Sequence, residues 1–311
     1  MTISFVIPCY RSEKTVSSVI DEILHKMNER REKTFEIIAI NDQSPDRVLD
    51  VLKEYAKKIP CIKVIDLAKN MGKHAALMAG YSFAVGDIVV NLDDDGQCPL
   101  NNLWELLQPL EQGYDVSFAA YPQKKESLFK RFGSRLNDLM ARSLIGKPKG
   151  VQITNFSAMK RFVVNEILQY HNPYPYIDGL ILRTTLKIAN VTMEERNRES
   201  GTSGYTFRKS LALWINGFTA FSVKPLRLAD MLGIFIAVIG FAFTLIIIIR
   251  KVIDPTVAIG YSSTMAVILF IGGMIMLLLG VLGEYIGRIY ISLNNSSQYL
   301  LRETYNIEKV A

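Results

Sequence analysis

The feature that most limits what this chain can fold into is an uncharged stretch of 19 residues from Met231 to Ile249. As an α-helix, such a stretch extends over roughly 28 Å, about the thickness of the hydrocarbon core of a bilayer. A second uncharged stretch runs from Pro255 to Gly283, and its densely apolar part, 264–283, is also long enough to cross. The short connection at 250–263 predicts an antiparallel membrane hairpin with both ends on one side. A buried helical hairpin of a soluble protein is the alternative, which these lengths disfavour.

Basic residues flank the hairpin unequally, with more of them beyond its outer ends than in its connection. Since Lys and Arg are enriched on the cytoplasmic side of membranes, this modest bias predicts that the rest of the chain is cytoplasmic. The outer ends carry Lys224, Arg227, Arg288 and Arg302, and the connection carries Arg250 and Lys251.

Residues 205–223 carry apolar side chains at near-helical spacing with Lys and Arg beside them. This pattern predicts a helix in the plane of the membrane interface, although an ordinary amphipathic core helix shows the same pattern. The expected organisation is a catalytic domain at 1–204, an interface helix and linker at 205–229, a hairpin at 230–287 with spans at 231–250 and 264–284, and a juxtamembrane tail at 288–311.

The first 204 residues alternate between short apolar runs and helical patterns. Val and Ile dominate the runs, as expected for buried strands, and segments with a helical period of 3.6 lie between the first four runs. This alternation predicts an α/β fold with a mostly parallel sheet covered on both faces, whose ligands bind beyond the carboxyl ends of the strands. The apolar runs are 3–9, 35–40, 62–67, 87–92 and 116–120, and the helical patterns cover 16–27, 48–55 and 75–85.

Three consecutive carboxylates, Asp93, Asp94 and Asp95, directly follow the fourth apolar run, and Gly96, Gln97 and Pro99 predict a turn there. Side chains alternate along an extended segment, so Asp93 and Asp95 should face one way and Asp94 the other. Hard oxygen ligands suit Mg²⁺ or Mn²⁺, with positions left open for phosphates. A solvated turn is the alternative for an isolated triple Asp.

Charge and cysteine content leave several function classes open. With 36 Lys and Arg against 30 Asp and Glu, the net charge of +6 suits an anionic lipid surface, a phosphate-bearing substrate or nucleic acid, and charge alone does not choose among them. Cys9, Cys61 and Cys98 are odd in number and widely spaced, which indicates neither a disulfide framework nor a zinc site. We therefore expect the large domain to face a reducing compartment.

Strand-end segments occur in an order that resembles glycosyltransferase family 2 with the GT-A fold: VIPCY at 6–10, INDQS at 40–44, NMGK at 70–73 and LDDDGQCP at 92–99. Nearly the whole chain resembles the polyprenyl-phosphate glycosyltransferase group. This group includes dolichol-phosphate mannose synthase-like enzymes and bacterial undecaprenyl-phosphate sugar transferases with a C-terminal membrane hairpin. The segments that carry this closer resemblance are Arg198 with GTSGY at 201–205, FSVKPLR at 221–227 and GEYIGRIY at 283–290.

The resemblance implies a metal-dependent, inverting glycosyltransferase of the inner (plasma) membrane, multi-pass, with its GT-A (Rossmann-like) domain in the cytoplasm. It would move a single hexosyl or N-acetylhexosaminyl group from a nucleotide-sugar donor, a UDP-sugar, to polyprenyl phosphate of the undecaprenyl type for a cell envelope glycan. Nucleic acid is not an expected partner, and homo-oligomerisation is left open.

Residue by residue, the resemblance implies nucleotide binding, metal binding, phosphate binding and catalysis by matching positions. Nucleotide contacts would come from Pro8, Tyr10, Glu13, Asp42, Lys73 and Asp93. The metal, Mg²⁺ or Mn²⁺, would be held by Asp93, Asp95 and Gln97. Arg131, Ser134 and Arg198 would bind the donor diphosphate and acceptor phosphate, and Asp95, Arg131 and Asn155 would be the catalytic residues.

Two places depart from the family pattern: the chain has Ala119-Ala120-Tyr121 where relatives commonly supply an Arg after the fifth apolar run, and it has Asn155 at the position of a proposed base. Where many relatives have Asp-Phe-Arg, with the Asp proposed as a base, this chain reads Asn155-Phe156-Ser157, and an amide does not take up a proton at neutral pH. Because a phosphate monoester is largely ionised at pH 7, its oxygen can attack unaided, and we interpret Asn155 as a positioning residue. His74 begins a helix beside Lys73, where phosphate contact is one option.

Two other functions remain as alternatives. One is a transferase that builds a polysaccharide or glycolipid directly, although such processive enzymes usually have more spanning helices and a Gln-x-x-Arg-Trp motif that this chain lacks. The other is a catalytically silent membrane scaffold of the same fold, which Asn155 would favour and the retained acidic cluster disfavours.

Overall fold

The computed structural model describes residues 1–30, 34–122, 142, 146–194, 196, 224–253, 260–293 and 297–307. The chain divides into two compact units. The first combines Met1–Thr206 with Asn295–Ala311, and the second is Phe207–Asn294.

The described part of the first unit is built around one eight-stranded sheet with helices between the strands. The strands are β1 Ile3–Cys9, β2 Phe35–Asn41, β3 Ile62–Leu67, β4 Ile88–Asn91, β5 Val116–Ala120, β6 Ser157–Lys160, β7 Ile188–Thr192 and β8 Leu301–Tyr305. The helices are α1 Val16–Glu29, α2 Val48–Lys58, α3 Lys73–Phe83, α4 Leu103–Glu111, α5 Arg161–Leu168 and α6 Ile177–Thr184, and a 3₁₀ turn at Leu100–Asn102 precedes α4.

The sheet has the strand order β7-β5-β6-β4-β1-β2-β3-β8. Its centre is parallel, since β4, β1, β2 and β3 all run in one direction, and β5 pairs in parallel with β7. The strands β6 and β8 are antiparallel to their neighbours. The expected α/β fold with a mostly parallel sheet is therefore confirmed.

The helix α3 packs closely against β1 and β2. A methyl group added at Gly80 would lie 2.5 Å from Cγ1 of Val6 and 2.8 Å from Cδ1 of Ile40, so the helix backbone approaches the sheet where only hydrogen fits. All seven residues of β1 are buried, as expected for a strand covered on both faces. The first residue of α3, Lys73, follows β3 after a short loop and lies at the carboxyl edge of the central strands.

The strand β8 differs from the sequence expectation, which left its residues in the juxtamembrane tail. In the structure it pairs antiparallel with β3, Tyr305 opposite Val64 and Glu303 opposite Asp66. Its sequence, LRETY, contains no apolar run, because an edge strand buries little of its surface. The pairing gives β3 a neighbour on both sides.

The second unit consists, in its described part, of two long helices, α7 Lys224–Ile253 and α8 Tyr261–Leu293. Both extend beyond the spans expected at 231–250 and 264–284. Many of their apolar side chains are exposed, including Phe241 at 73% and Met276 at 78%. One window, Phe270–Gly287, is long and apolar enough to cross a membrane and has none of its residues buried, and α7 has a shorter apolar segment at Gly233–Ala242. The expected interface helix at 205–223 lies outside the described residues.

Candidate active site

Polar loops follow the four parallel strands of the sheet centre and meet at its carboxyl edge. The strands end at Cys9, Asn41, Leu67 and Asn91, and the loops after them contain most of the residues expected to bind the nucleotide and metal. In parallel sheets this edge is where ligands bind.

Hydrogen bonds join the loop after β1 to the loop after β2. The backbone N–H of Arg11, a residue with φ of +58°, donates to Oγ of Ser44 at 2.7 Å. The N–H of Glu13 donates to Asp46 at 2.9 Å, and Oε2 of Glu13 accepts from the backbone N–H of Arg47 at 2.8 Å. Glu13 therefore shapes these loops through both its backbone and its carboxylate.

Two other residues expected to bind the nucleotide, Pro8 and Tyr10, lie at the end of β1 and differ in exposure. Pro8 is buried inside the strand, opposite Ile40 of β2. Tyr10 comes after the strand, and its side chain is 44% exposed. Of the two side chains, only that of Tyr10 is exposed at this edge of the sheet.

Asp42 is a buried carboxylate that holds the loop after β3. Its two oxygens accept the backbone N–H groups of Met71 and Gly72, each at 2.8 Å. Its carbonyl oxygen accepts from the side-chain amide of Asn70 at 3.0 Å. Burial raises the pKa of Asp42 above its ordinary value, and the two N–H donors partly oppose that rise. Asp42 thus joins the loops after β2 and β3 into one surface.

Asp93 contacts two other residues that were expected at the site, Lys73 and Asn155. One carboxylate oxygen forms a salt bridge with the ammonium of Lys73, at the start of α3. The other oxygen accepts a hydrogen bond of 2.6 Å from Nδ2 of Asn155, just before β6. Residues 73, 93 and 155 are brought together because α3, β4 and β6 all reach the same edge of the sheet.

Asp94 has different partners from Asp93. Its Oδ2 accepts the backbone N–H of Tyr10 at 3.0 Å, which ties the end of β4 to the end of β1. Burial raises the pKa of Asp94 to about 6, the nearby hydroxyl of Ser12 opposes this rise, and the charge of Asp93 adds to it. Asp94 therefore serves the loop framework.

Asp95 and Gln97 lie in the turn that follows. Oδ1 of Asp95 accepts the backbone N–H of Gln97 at 3.1 Å, and the intervening Gly96 has a φ of +75°, a conformation that favours glycine. The side-chain amide of Gln97 donates to the carbonyl oxygen of Arg196 at 3.5 Å. This turn fixes Asp95 and Gln97 relative to the end of β4.

The oxygen donors of this turn fit a hard divalent cation in part. Across the described ranges, no group of three or more His, Cys, Asp or Glu side chains converges in the manner of a complete metal site. Asp93, Asp95 and the amide oxygen of Gln97 would provide a partial set, which is the pattern of a cation that shares its coordination with phosphates. The carboxylate of Asp93 already faces one positive charge, that of Lys73.

Three residues expected at the phosphates lie outside the part of the chain that the structure describes: Arg131, Ser134 and Arg198.

A half-buried polar cluster beside Lys73 was not anticipated from the sequence. Nδ1 of His74 accepts the backbone N–H of Ile177 at 3.4 Å, and its ring lies 5.3 Å from that of Tyr176. Burial lowers the pKa of His74 and raises that of Asp178, so both groups favour their neutral forms. A cavity of about 20 Å³ lies against His74, Asp178 and Asn155. The position of His74 at a helix start was a sequence signal, whereas nothing in the sequence links it to residues one hundred positions later.

Comparison with protein families agrees with this geometry. The profile described as glycosyl transferase family 2 matches residues 4–168, more than half of the chain, and the profile of the GtrB C-terminal hairpin matches residues 224–289. The chain belongs to glycosyl transferase family 2. This family 2 glycosyltransferase has a GT-A catalytic domain, and its two long helices correspond to the GtrB hairpin, which suggests membrane association.

Similar proteins extend over nearly the whole of this family 2 glycosyltransferase. It is 30% identical to the uncharacterized glycosyltransferase YkcC of Bacillus subtilis, over 98% of this chain and 94% of that protein. It is 32% identical to the undecaprenyl-phosphate 4-deoxy-4-formamido-L-arabinose transferase of Pectobacterium carotovorum, over 97% of this chain and 93% of that protein.

Among solved structures, mannosyl-3-phosphoglycerate synthase from Rubrobacter xylanophilus matches with a TM-score of 0.49 and 22% identity, over 69% of this chain and 72% of that one. Glucosyl-3-phosphoglycerate synthase from Mycobacterium tuberculosis, in complex with Mn²⁺ and UDP-glucose, matches with a TM-score of 0.48 and 22% identity, over 70% and 77% of the two chains.

Proposed function

We propose that this protein transfers a single sugar from a UDP-sugar to polyprenyl phosphate, with inversion at the anomeric carbon. The observation that carries this proposal is the convergence of Lys73, Asp93 and Asn155 at the carboxyl edge of the sheet. It occurs in a chain whose relatives over nearly full length include undecaprenyl-phosphate sugar transferases.

The surface formed by the loops after β1, β2 and β3 would bind the nucleoside. Tyr10 presents an exposed aromatic ring, and Asp42 is held at the centre of this surface by the N–H groups of Met71 and Gly72. Aromatic rings stack on bases regardless of sequence, and a fixed carboxylate accepts hydrogen bonds from base or ribose. Lys73 would follow the phosphates, since its ammonium lies where the nucleoside surface meets Asp93.

The diphosphate would extend from this surface toward Asp93, Asp95 and Gln97. When bound there, Mg²⁺ or Mn²⁺ would neutralise the charge that develops on the diphosphate as it leaves the sugar. The protein contribution is positional, because the turn at Gly96 holds Asp95 and Gln97 while Lys73 and Asn155 hold Asp93.

The chemical step would be an in-line displacement. An oxygen of the lipid phosphate attacks the anomeric carbon, the bond from that carbon to the diphosphate breaks, and the nucleoside diphosphate leaves with the electron pair. No proton has to be removed, because the second pKa of a phosphate monoester is about 6 and the attacking oxygen is ionised at neutral pH. A base is therefore not needed at position 155, and the role of Asn155 is to orient Asp93.

The test is lipid-linked product formation by the purified full-length protein in nanodiscs. Radiolabelled UDP-sugars and GDP-sugars are offered in turn with undecaprenyl phosphate and Mn²⁺, and the organic extract is separated by chromatography. We expect a labelled lipid carrying one sugar from a UDP-sugar, with an anomeric configuration opposite to that of the donor by NMR. Absence of labelled lipid with every donor contradicts the proposal, as does a product that grows beyond one sugar.

A further inference from the structure

Residues 297–307, here the C-terminal segment, make specific contacts with the rest of the first unit in addition to the β8 ladder. The backbone carbonyl of Leu300 accepts the N–H of Ala68 at 2.8 Å. The side-chain amide of Gln298 donates to the carbonyl oxygens of Tyr170 and Asn172, and Oη of Tyr299 lies 3.0 Å from Oγ of Ser82. The segment is therefore anchored along its whole described length.

Arg302 lies at an irregularity in this ladder. Glu303 pairs with Asp66 and Leu301 pairs with Leu67, so Arg302 is the extra residue between two consecutive pairs, as in a β-bulge. Bulges redirect side chains. The guanidinium of Arg302 contacts Oδ2 of Asp66 at 3.5 Å and donates to the carbonyl oxygen of Ala68 at 3.1 Å.

Asp66 links Arg302 to the turn that carries Asp42. Its side chain is only 1% exposed, and a buried carboxylate needs a charged or hydrogen-bonding partner. Its second oxygen accepts a hydrogen bond of 2.6 Å from Nδ2 of Asn41, the residue next to Asp42. Oδ1 of Asn41 in turn accepts the N–H of Ser44 at 3.1 Å and so shapes the turn that carries Asp42.

A second path from the C-terminal segment leads to the other side of Asp42. Ala68 is held by Leu300 through its N–H and by Arg302 through its carbonyl oxygen. Shortly after Ala68, Met71 and Gly72 give their N–H groups to the Asp42 carboxylate. The C-terminal segment thus holds the start of the loop after β3 directly, at Ala68, and reaches the start of the loop after β2, at Asn41, through Asp66.

We infer that Arg302 is a positioning residue for the nucleoside of the donor: it neutralises Asp66 and fixes Ala68, and thereby sets the two loops that meet at Asp42. This inference rests on the proposed function, since it requires a nucleoside at Asp42. Loss of Arg302 weakens donor binding and leaves the turnover of bound donor nearly unchanged, because the two side chains that hold Asp93 in the described part of the chain, Lys73 and Asn155, belong to α3 and to the segment before β6.

The experiment measures UDP binding by calorimetry in the presence of Mn²⁺, with the full-length protein in nanodiscs, together with kcat and KM for the donor. Arg302→Met keeps the length of the side chain and removes its charge and donors. Glu303→Gln is the matched control, since Glu303 is the next residue of β8 and makes a surface ion pair with Lys53 at 3.9 Å. The double change Arg302→Met with Asp66→Asn tests whether the two side chains act together.

For Arg302→Met we expect the Kd for UDP and the donor KM to rise about fivefold, with kcat within about twofold of wild type and Glu303→Gln near wild type. In the Asp66→Asn background, removing Arg302 should add little. Unchanged UDP binding in Arg302→Met overturns the inference. An equal loss of UDP binding in Glu303→Gln also overturns it, because both changes would then act by destabilising the strand β8. If wild type itself binds no nucleotide, the proposed function fails first and this inference fails with it.

Discussion

Replacing Asn155 tests whether this residue orients Asp93 or marks an enzyme that has lost its base. The hydrogen bond from Nδ2 of Asn155 to Asp93 is 2.6 Å long and has an ionised acceptor. Hydrogen bonds to charged groups contribute about 1.5–3 kcal/mol, and the lower value applies because Asn155 is exposed. Asn155→Ala should therefore lower kcat/KM for the donor by roughly tenfold.

Asn155→Asp should behave differently from Asn155→Ala. It replaces a donor by a second carboxylate next to Asp93, and two like charges about 4 Å apart repel by ~1 kcal/mol in water and ~4 kcal/mol at an effective dielectric constant of 20. At low Mn²⁺ the Asp variant should be slower than the Ala variant, and saturating Mn²⁺ should reduce the difference because a cation screens the pair.

The assay is the initial rate of lipid-linked product over a Mn²⁺ titration. Asn102→Ala is the control, since Asn102 makes the same kind of bond, 2.8 Å to Glu105, without contacting Asp93. If Asn155→Asp is faster than wild type at every Mn²⁺ concentration, the chain lacks a base that it needs, and the positioning role is refuted. An Asn155→Ala variant as fast as wild type would refute it equally.

Three further outcomes follow from the structure. Asp95→Ala should reduce transfer by roughly a hundredfold or more, while the protein is still recovered in the membrane fraction. The control is Glu54→Gln, a change at an exposed residue, which should be fully active. Undiminished turnover by Asp95→Ala would contradict the metal assignment. Burial lowers the pKa of His74 below 6.5, so protonation favours the unfolded chain and the free energy of unfolding falls as the pH drops through 6.5. His74→Gln should therefore lose less Tm than wild type between about pH 7.5 and 5.5. Equal slopes of Tm against pH in the two proteins would exclude the effect. Gly80→Ala should lower Tm by about 3 °C, because overlap with Val6 at 2.5 Å outweighs the gain in helix propensity, and a raised Tm would show that the sheet yields.

The sheet centre could be predicted because its strands are continuous apolar runs. Each of the first five runs, beginning with Ile3–Cys9, forms a strand, since a strand buried on both faces has no polar alternation to obscure it. The strands β6, β7 and β8 had no such signal. β6 has only four residues, and β8 is exposed over most of its length, so their positions depend on pairing with distant parts of the chain.

The sequence predicts which loops form the site, but it does not predict most of the contacts between them. Parallel strands place their carboxyl ends at one edge, which is why Asp42 and Asp93 could be expected near each other. The bond between Asn155 and Asp93 depends on the antiparallel placement of β6 beside β4, which the sequence does not indicate. The support of Asp66 by Arg302 joins residues 236 positions apart, and no periodicity or motif predicts it.

The place of β8 in the sheet has a consequence for biosynthesis. The ribosome makes both long helices before it makes Leu301–Tyr305, so a nascent chain has β3 with one open edge until β8 has been made. An open edge can pair with a strand of another chain and so favours aggregation. A nascent chain stalled within the helices would therefore carry both a sheet without β8 and an Asp66 without its contact to Arg302.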